Sequence, residues 1–156
     1  MANFLRTVQF LCLSLWLGSD VFLSFVVAPG AFRVLASRDQ AGAIVGFALG
    51  SIHMIGIICG IVFLVSRFLR TRNVSTMVAP ATLWVVLMIL LTVVSQHAVS
   101  PRMAELRVQM GSIEATAAGN PQLVEFQKLH RRSVLLERGV LLAGIAAMFW
   151  LVREGG

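Results

Sequence analysis

The chain has 156 residues, of which 58% are hydrophobic and 13% charged, with a formal net charge of +6. Soluble domains hold about 45–50% apolar and about 25% charged residues, so composition excludes a soluble enzyme of this size, and a chain embedded in lipid explains both departures. Two cysteines, Cys12 and Cys59, lie in separate apolar runs and do not make a disulfide scaffold; the hydrophobicity excludes disorder.

In chain order, residues 7–32 are free of Asp, Glu, Lys and Arg except at Asp20. A spanning helix needs about 20 mainly apolar residues, and this run predicts a first span over about 5–27. It is longer than the ~7–15-residue apolar core of a signal peptide, so it reads as a span. Pro29, Gly30 and a basic stretch from Arg33 to Arg38 make a short first connection. Residues 40–66 carry no charge and predict a second span over about 44–65, followed by a tight basic connection at Arg67, Arg70, Arg72 and Asn73. Residues 73–101 are equally free of charge and predict a third span over about 77–97.

The third connection is long. Arg102, Glu105, Arg107 and Glu114 punctuate an amphipathic helix over about 101–118, which the sequence breaks at Gly119. Asn120 suits an N-cap and Pro121 the first position of a new helix, which runs on to about Val152. Its fourth span covers about 133–152; the charge-free run Gly139–Val152 has only 14 residues, so Glu137 and Arg138 fall at the membrane edge. The expected fold is therefore all-α: a single domain over 1–156, an integral membrane four-helix bundle with an extra amphipathic helix in the long loop.

Orientation is open, because five basic residues fall on the side of the N-terminus and second connection and seven on the other. The positive charge suits a protein of the bacterial inner (cytoplasmic) membrane facing anionic lipid. No basic run is interleaved with aromatics, so nucleic acid is not an expected partner.

Ionisable side chains inside a span are costly and usually face protein or water. Asp20, His53, His97 and Glu137 are such residues, and His130 lies just outside the fourth span. Because the first and third connections share a side, all five gather in one half of the bundle, with Asp20 and His53 each about 12–13 Å deep. By depth, Asp20 matches His53, and Glu137 matches His97. By face, Cys12, Trp16, Asp20 and Ser24 form one stripe; Gly46, Gly50, His53, Gly56 and Gly60 a second; His130, Ser133, Glu137, Leu141 and Gly144 a third. Small residues let a neighbouring helix approach, so His53 is placed on a packing seam, where it also suits a hydrogen-bond tie between helices. Together the stripes predict a convergent polar site opening toward the first and third connections.

The chemistry of that site is only partly constrained. G-x-S-x-G, P-loop and G-x-G-x-x-G patterns are missing, and the enzyme question leans toward no. Three histidines and two carboxylates suit a borderline transition metal, with His53 and His130 as candidate ligands. Copper(I) is disfavoured without clustered methionine or cysteine. Haem b between histidines on facing helices is a further possibility. Carboxylate–imidazole pairs suit proton or cation relays.

The segments LWLGSDVFLSF at 15–25, AFRVL at 31–35, SRDQAG at 37–42, His53, Pro101–Arg102 and FQKLHRRS at 126–133 resemble the transmembrane-protein-205-like family, whose bacterial members carry a domain of unknown function. The chain is more distantly similar to copper-resistance D and haem-binding protoporphyrinogen-oxidase membrane families. The resemblance implies a four-span membrane protein and carries over Gly18, Phe25, Arg33, His53, Pro101, Arg102, His130 and Ser133. The vertebrate pattern has amides where this chain has Asp20 and Glu137 and lacks a histidine at 97, leaving His53 and His130 as the shared candidates.

The leading expectation is a polar site binding a proton, cation or metal-type ligand through His53 and His130, with Asp20, His97 and Glu137 assisting and Arg33, Arg102 and Ser133 in support. The rival is an accessory subunit, packed by self-association or against a larger respiratory or photosynthetic membrane complex, its histidines holding haem or pigment or serving structure alone.

Overall fold

The computed structural model describes residues 1–154, with backbone only at Ala2 and Val74. All regular structure among them is helical. Helix α1 (Ala2–Phe22) passes through a π-helical turn, Leu23–Val27, into α2 (Ala28–Val34). Helix α3 spans Arg38–Thr71; a 3₁₀ turn, Val74–Val78, leads to α4 (Pro80–Val94). A second π turn, Ser95–Val99, joins α4 to α5 (Ser100–Met110), and α6 covers Pro121–Arg153. Four helical stretches are long and apolar enough to cross a membrane: Asn3–Val34, Arg38–Thr71, Pro80–Met110 and Pro121–Arg153.

Both π turns have a local cause. Each lies just before a proline, Pro29 or Pro101, near the start of the following helix. A proline inside a helix has no N–H and crowds the carbonyl four residues back. Widening that turn relieves the clash while the backbone stays helical, and π turns of this kind recur at functional sites. The second one carries Ser95, Gln96 and His97.

The helix ends follow local chemistry. Ser37 caps α3 by accepting from the Asp39 backbone N–H at 3.1 Å, and Asn120 caps α6 by accepting from Gln122 at 2.8 Å. The break after α5 falls at Gly111, not at Gly119 as the sequence suggested. Gly111 takes a φ of +69°, open to glycine at little cost, and so ends the helix eight residues early. The segment after it is held to the start of α3. Asp39 accepts from the Ser112 hydroxyl at 2.6 Å and the Ile113 N–H at 2.9 Å, while Glu114 accepts from the Arg38 N–H at 3.2 Å. The first and third connections are thus tied to each other.

Helix α1 packs against α3 and α6, and α4 against α3 and α6. The pairs α1/α4 and α3/α6 therefore face each other across the two diagonals of the bundle. Lipid supplies no hydrophobic drive for helices to associate, so close packing matters most. Trp16, Leu13, Phe63, Met88, Val85 and Ala147 fill the centre. A Cβ at Gly56 would lie 2.4 Å from the Trp16 ring, and one at Gly144 would lie 2.3 Å from Leu17. The expected glycine seam holds only in part. Gly56 and Gly60 receive Trp16, but a Cβ at Gly46 or Gly50 would meet nothing within 4 Å. Trp16 fills the narrow approach of α1 to α3, and beyond it the two glycines face open space.

Candidate functional site

Asp20 lies near the end of α1, His53 in the middle of α3, Ser95 and Gln96 in the second π turn, and Glu137 midway along α6. The His53 ring is almost fully buried, at 1% exposure. Its Nδ1 lies 2.8 Å from Gln96 Oε1 and its Nε2 lies 2.7 Å from Glu137 Oε1. The Ser95 hydroxyl also donates to Glu137 at 3.4 Å. The His53–Glu137 contact crosses the α3/α6 diagonal, and Glu137 keeps 19% of its side chain exposed, which leaves an edge of the site open.

This arrangement links the proton count of the bridge to the orientation of the Gln96 amide. Gln96 presents its amide oxygen, an acceptor, and the Glu137 carboxylate is another acceptor. Both ring nitrogens then need a proton between themselves and their partners, so the His53–Glu137 unit holds two. Turning the Gln96 amide over presents its NH₂ to Nδ1, and the same unit then needs only one. One proton is therefore linked to one amide orientation.

Asp20 adds a second carboxylate, only 4% exposed, and its Oδ2 finds no hydrogen-bond partner among the described residues. It couples electrostatically to both Glu137 and His53. Two carboxylates and one imidazolium sum to −1, a charge that a low-dielectric bundle does not hold without a counterion or a proton.

The five sequence candidates separate in the structure. Asp20, His53 and Glu137 come together. His97 is exposed, with Nδ1 3.1 Å from the Val93 carbonyl. His130 is exposed on α6, seven residues and about 10 Å along the axis from Glu137. The depth pairing of Glu137 with His97 is thus replaced by Glu137 with His53, and a His53–His130 metal pair is not formed. Inward positions on α4 and its continuation are Met88, Thr92, Ser95 and Val99, and position 97 falls on the opposite face. Among the supporting residues, Arg33 is exposed in the last turn of α2. Arg102 forms a two-bond pair with Glu125, at 2.8 and 3.1 Å, beyond the site. Ser133 is buried one turn above Glu137 on α6.

The missed residues are Thr92, Ser95 and Gln96. For Thr92 and Ser95 the signal was present in the sequence, since they continue the spacing of Val85 and Met88 along one face, whereas Gln96 lies off that stripe.

The cofactors considered from sequence fit poorly. Both His53 nitrogens are engaged, so neither is available as an axial ligand to haem without dismantling the bridge. No group of three or more His, Cys, Asp or Glu among the described residues is arranged to hold a metal ion.

Residues 11–112 match the domain of unknown function DUF4149. The chain belongs to this family. The DUF4149 match takes in Asp20, His53, Thr92, Ser95 and Gln96, and stops before α6 and Glu137. No curated protein and no solved structure matches the chain.

Proposed function

We propose that this DUF4149 protein binds a proton or a cation inside the bundle, at the site formed by Asp20, His53, Gln96 and Glu137. The observation that carries the reading is Asp20 Oδ2, buried without a partner beside the His53–Glu137 bridge. A carboxylate in that position is stable only when something positive joins it. The Gln96 amide adds a second support, because its two orientations set two proton counts for the bridge. Of His53 and His130, the two histidine candidates that the sequence resemblance implies, this reading uses His53 and assigns no ligand role to His130.

Infrared spectroscopy of the lipid-reconstituted protein, titrated with pH, tests the proposal. The carbonyl stretch of a protonated buried carboxyl should rise and fall with pH. Asp20→Asn and Glu137→Gln should each remove or displace it. His53→Gln should alter its midpoint, while His97→Ala and His130→Ala leave it in place. A titration profile identical in Asp20→Asn, Glu137→Gln and the native protein overturns the reading.

A further inference from the structure

A second orphan atom lies at the same depth as the first. Thr92 is 1% exposed, and its Oγ1 has no hydrogen-bond partner among the described residues. A buried threonine on a helix ordinarily bonds back to the carbonyl one turn earlier, as Thr71 does to Arg67. Thr92 does not.

Its depth follows from the packing. Leu17 of α1 and Met88 of α4 both close on Gly144 of α6. Helices α1 and α4 run in the same direction, so Asp20 stands three residues and Thr92 four residues beyond that layer, about 5–6 Å along the axis. The His53–Glu137 bridge is the next layer, since Glu137 precedes Gly144 by seven residues on an antiparallel helix. Asp20 and Thr92 lie on the α1/α4 diagonal, crossing beneath a bridge that occupies the α3/α6 diagonal. Leu17 and Met88 make an apolar floor, and the ionic bridge makes a polar roof.

We infer that Asp20 Oδ2 and Thr92 Oγ1 are ligands for a dehydrated monovalent alkali cation, sodium being the probe, with Glu137 and Ser95 oxygens above it. This inference rests on the charged site proposed above and names its ligand. Three features select the class. The facing donors are oxygens, which suit hard cations rather than thiophilic metals. The net charge of −1 is neutralised by one monovalent ion, whereas a divalent ion would leave +1. The two unpartnered oxygens come from the two helices of one diagonal, so a single ion between them would serve both. A cation there competes with the proton for the same negative charge, which links sodium binding to pH.

The test is thermal unfolding of the detergent-purified protein in sodium chloride against equal choline chloride. Sodium should raise the midpoint by a few degrees, on the order expected for a ligand that binds only the folded state. Thr92→Val, which keeps the shape and removes the oxygen, should raise the sodium concentration for half effect about tenfold, the equivalent of about 1.4 kcal/mol. Thr92→Ser should restore it, and Asp20→Asn should abolish it. No difference between sodium and choline overturns the cation site in favour of a bridging water. A sodium effect undiminished in Thr92→Val places the ion elsewhere and also overturns it. The infrared titration separates the two proposals: a carboxyl that titrates without a sodium effect removes the ion and leaves the proton site.

Discussion

The bundle carries two ties across the same diagonal, one in each half. In one half, His53 of α3 meets Glu137 of α6; in the other, Arg67 of α3 meets Glu154, just past the end of α6. Their burial is nearly the same, 2% and 19% for the first pair and 3% and 18% for the second. Their chemistry is not. Arg67 is a permanent cation, and Glu154 divides its carboxylate between that guanidinium and the Ala81 N–H, 3.0 Å away at the start of α4. That end is a clamp joining the end of α6, the last turns of α3 and the start of α4. His53 can gain or lose its proton, and beside it stand an amide that can turn and a carboxylate that nothing satisfies. The lesson is that equal burial of an ion pair does not imply an equal role. The pair whose cation can discharge is the one suited to binding.

The largest expected effect breaks the clamp. Glu154→Ala leaves the Arg67 guanidinium buried without its anion and the Ala81 N–H without its acceptor, so thermal or denaturant unfolding should show a loss of about 3 kcal/mol. The matching change in the other half should cost less. Glu137→Gln leaves His53 free to shed its charge, which arginine cannot do, and the loss should be about 1 kcal/mol. The same variant should flatten the pH dependence of unfolding between about pH 5 and pH 8, where an imidazole changes charge. Equal costs for the two variants would contradict the distinction between the clamp and the proposed binding site. The smallest effect belongs to the exposed ion pairs beyond both. Arg102→Ala removes its bonds to Glu125 and Glu105, yet should change stability by only about 0.5 kcal/mol, and less in high salt.

Part of the candidate site is legible in the sequence alone. Asp20, His53 and Glu137 stand out because charge is conspicuous in an apolar run, and the alternation of connections places them in one half. Gln96 and Thr92 do not stand out in that way. An uncharged polar residue is tolerated on either face of a membrane helix, so only the face it presents makes it part of a site. For α4 and its continuation, helical spacing from Met88 through Thr92 and Ser95 to Val99 separates the inward residues from His97, and depth alone does not.

The four spans, the short basic turn after α3 and the Asn120–Pro121 start of α6 are properties of the sequence itself. Each depends on local quantities: apolar length against bilayer thickness, and the capping chemistry of a few adjacent residues. Tertiary structure alone decided that His53 pairs with Glu137, that Gly46 and Gly50 stay unpacked, that the loop breaks at Gly111 onto Asp39, and that Asp20 and Thr92 each bury an oxygen without a partner among the described residues. These depend on how each helix is rotated and offset against its neighbours. Packing of Trp16 on Gly56 and of Leu17 on Gly144 sets that rotation, through contacts between residues tens of positions apart.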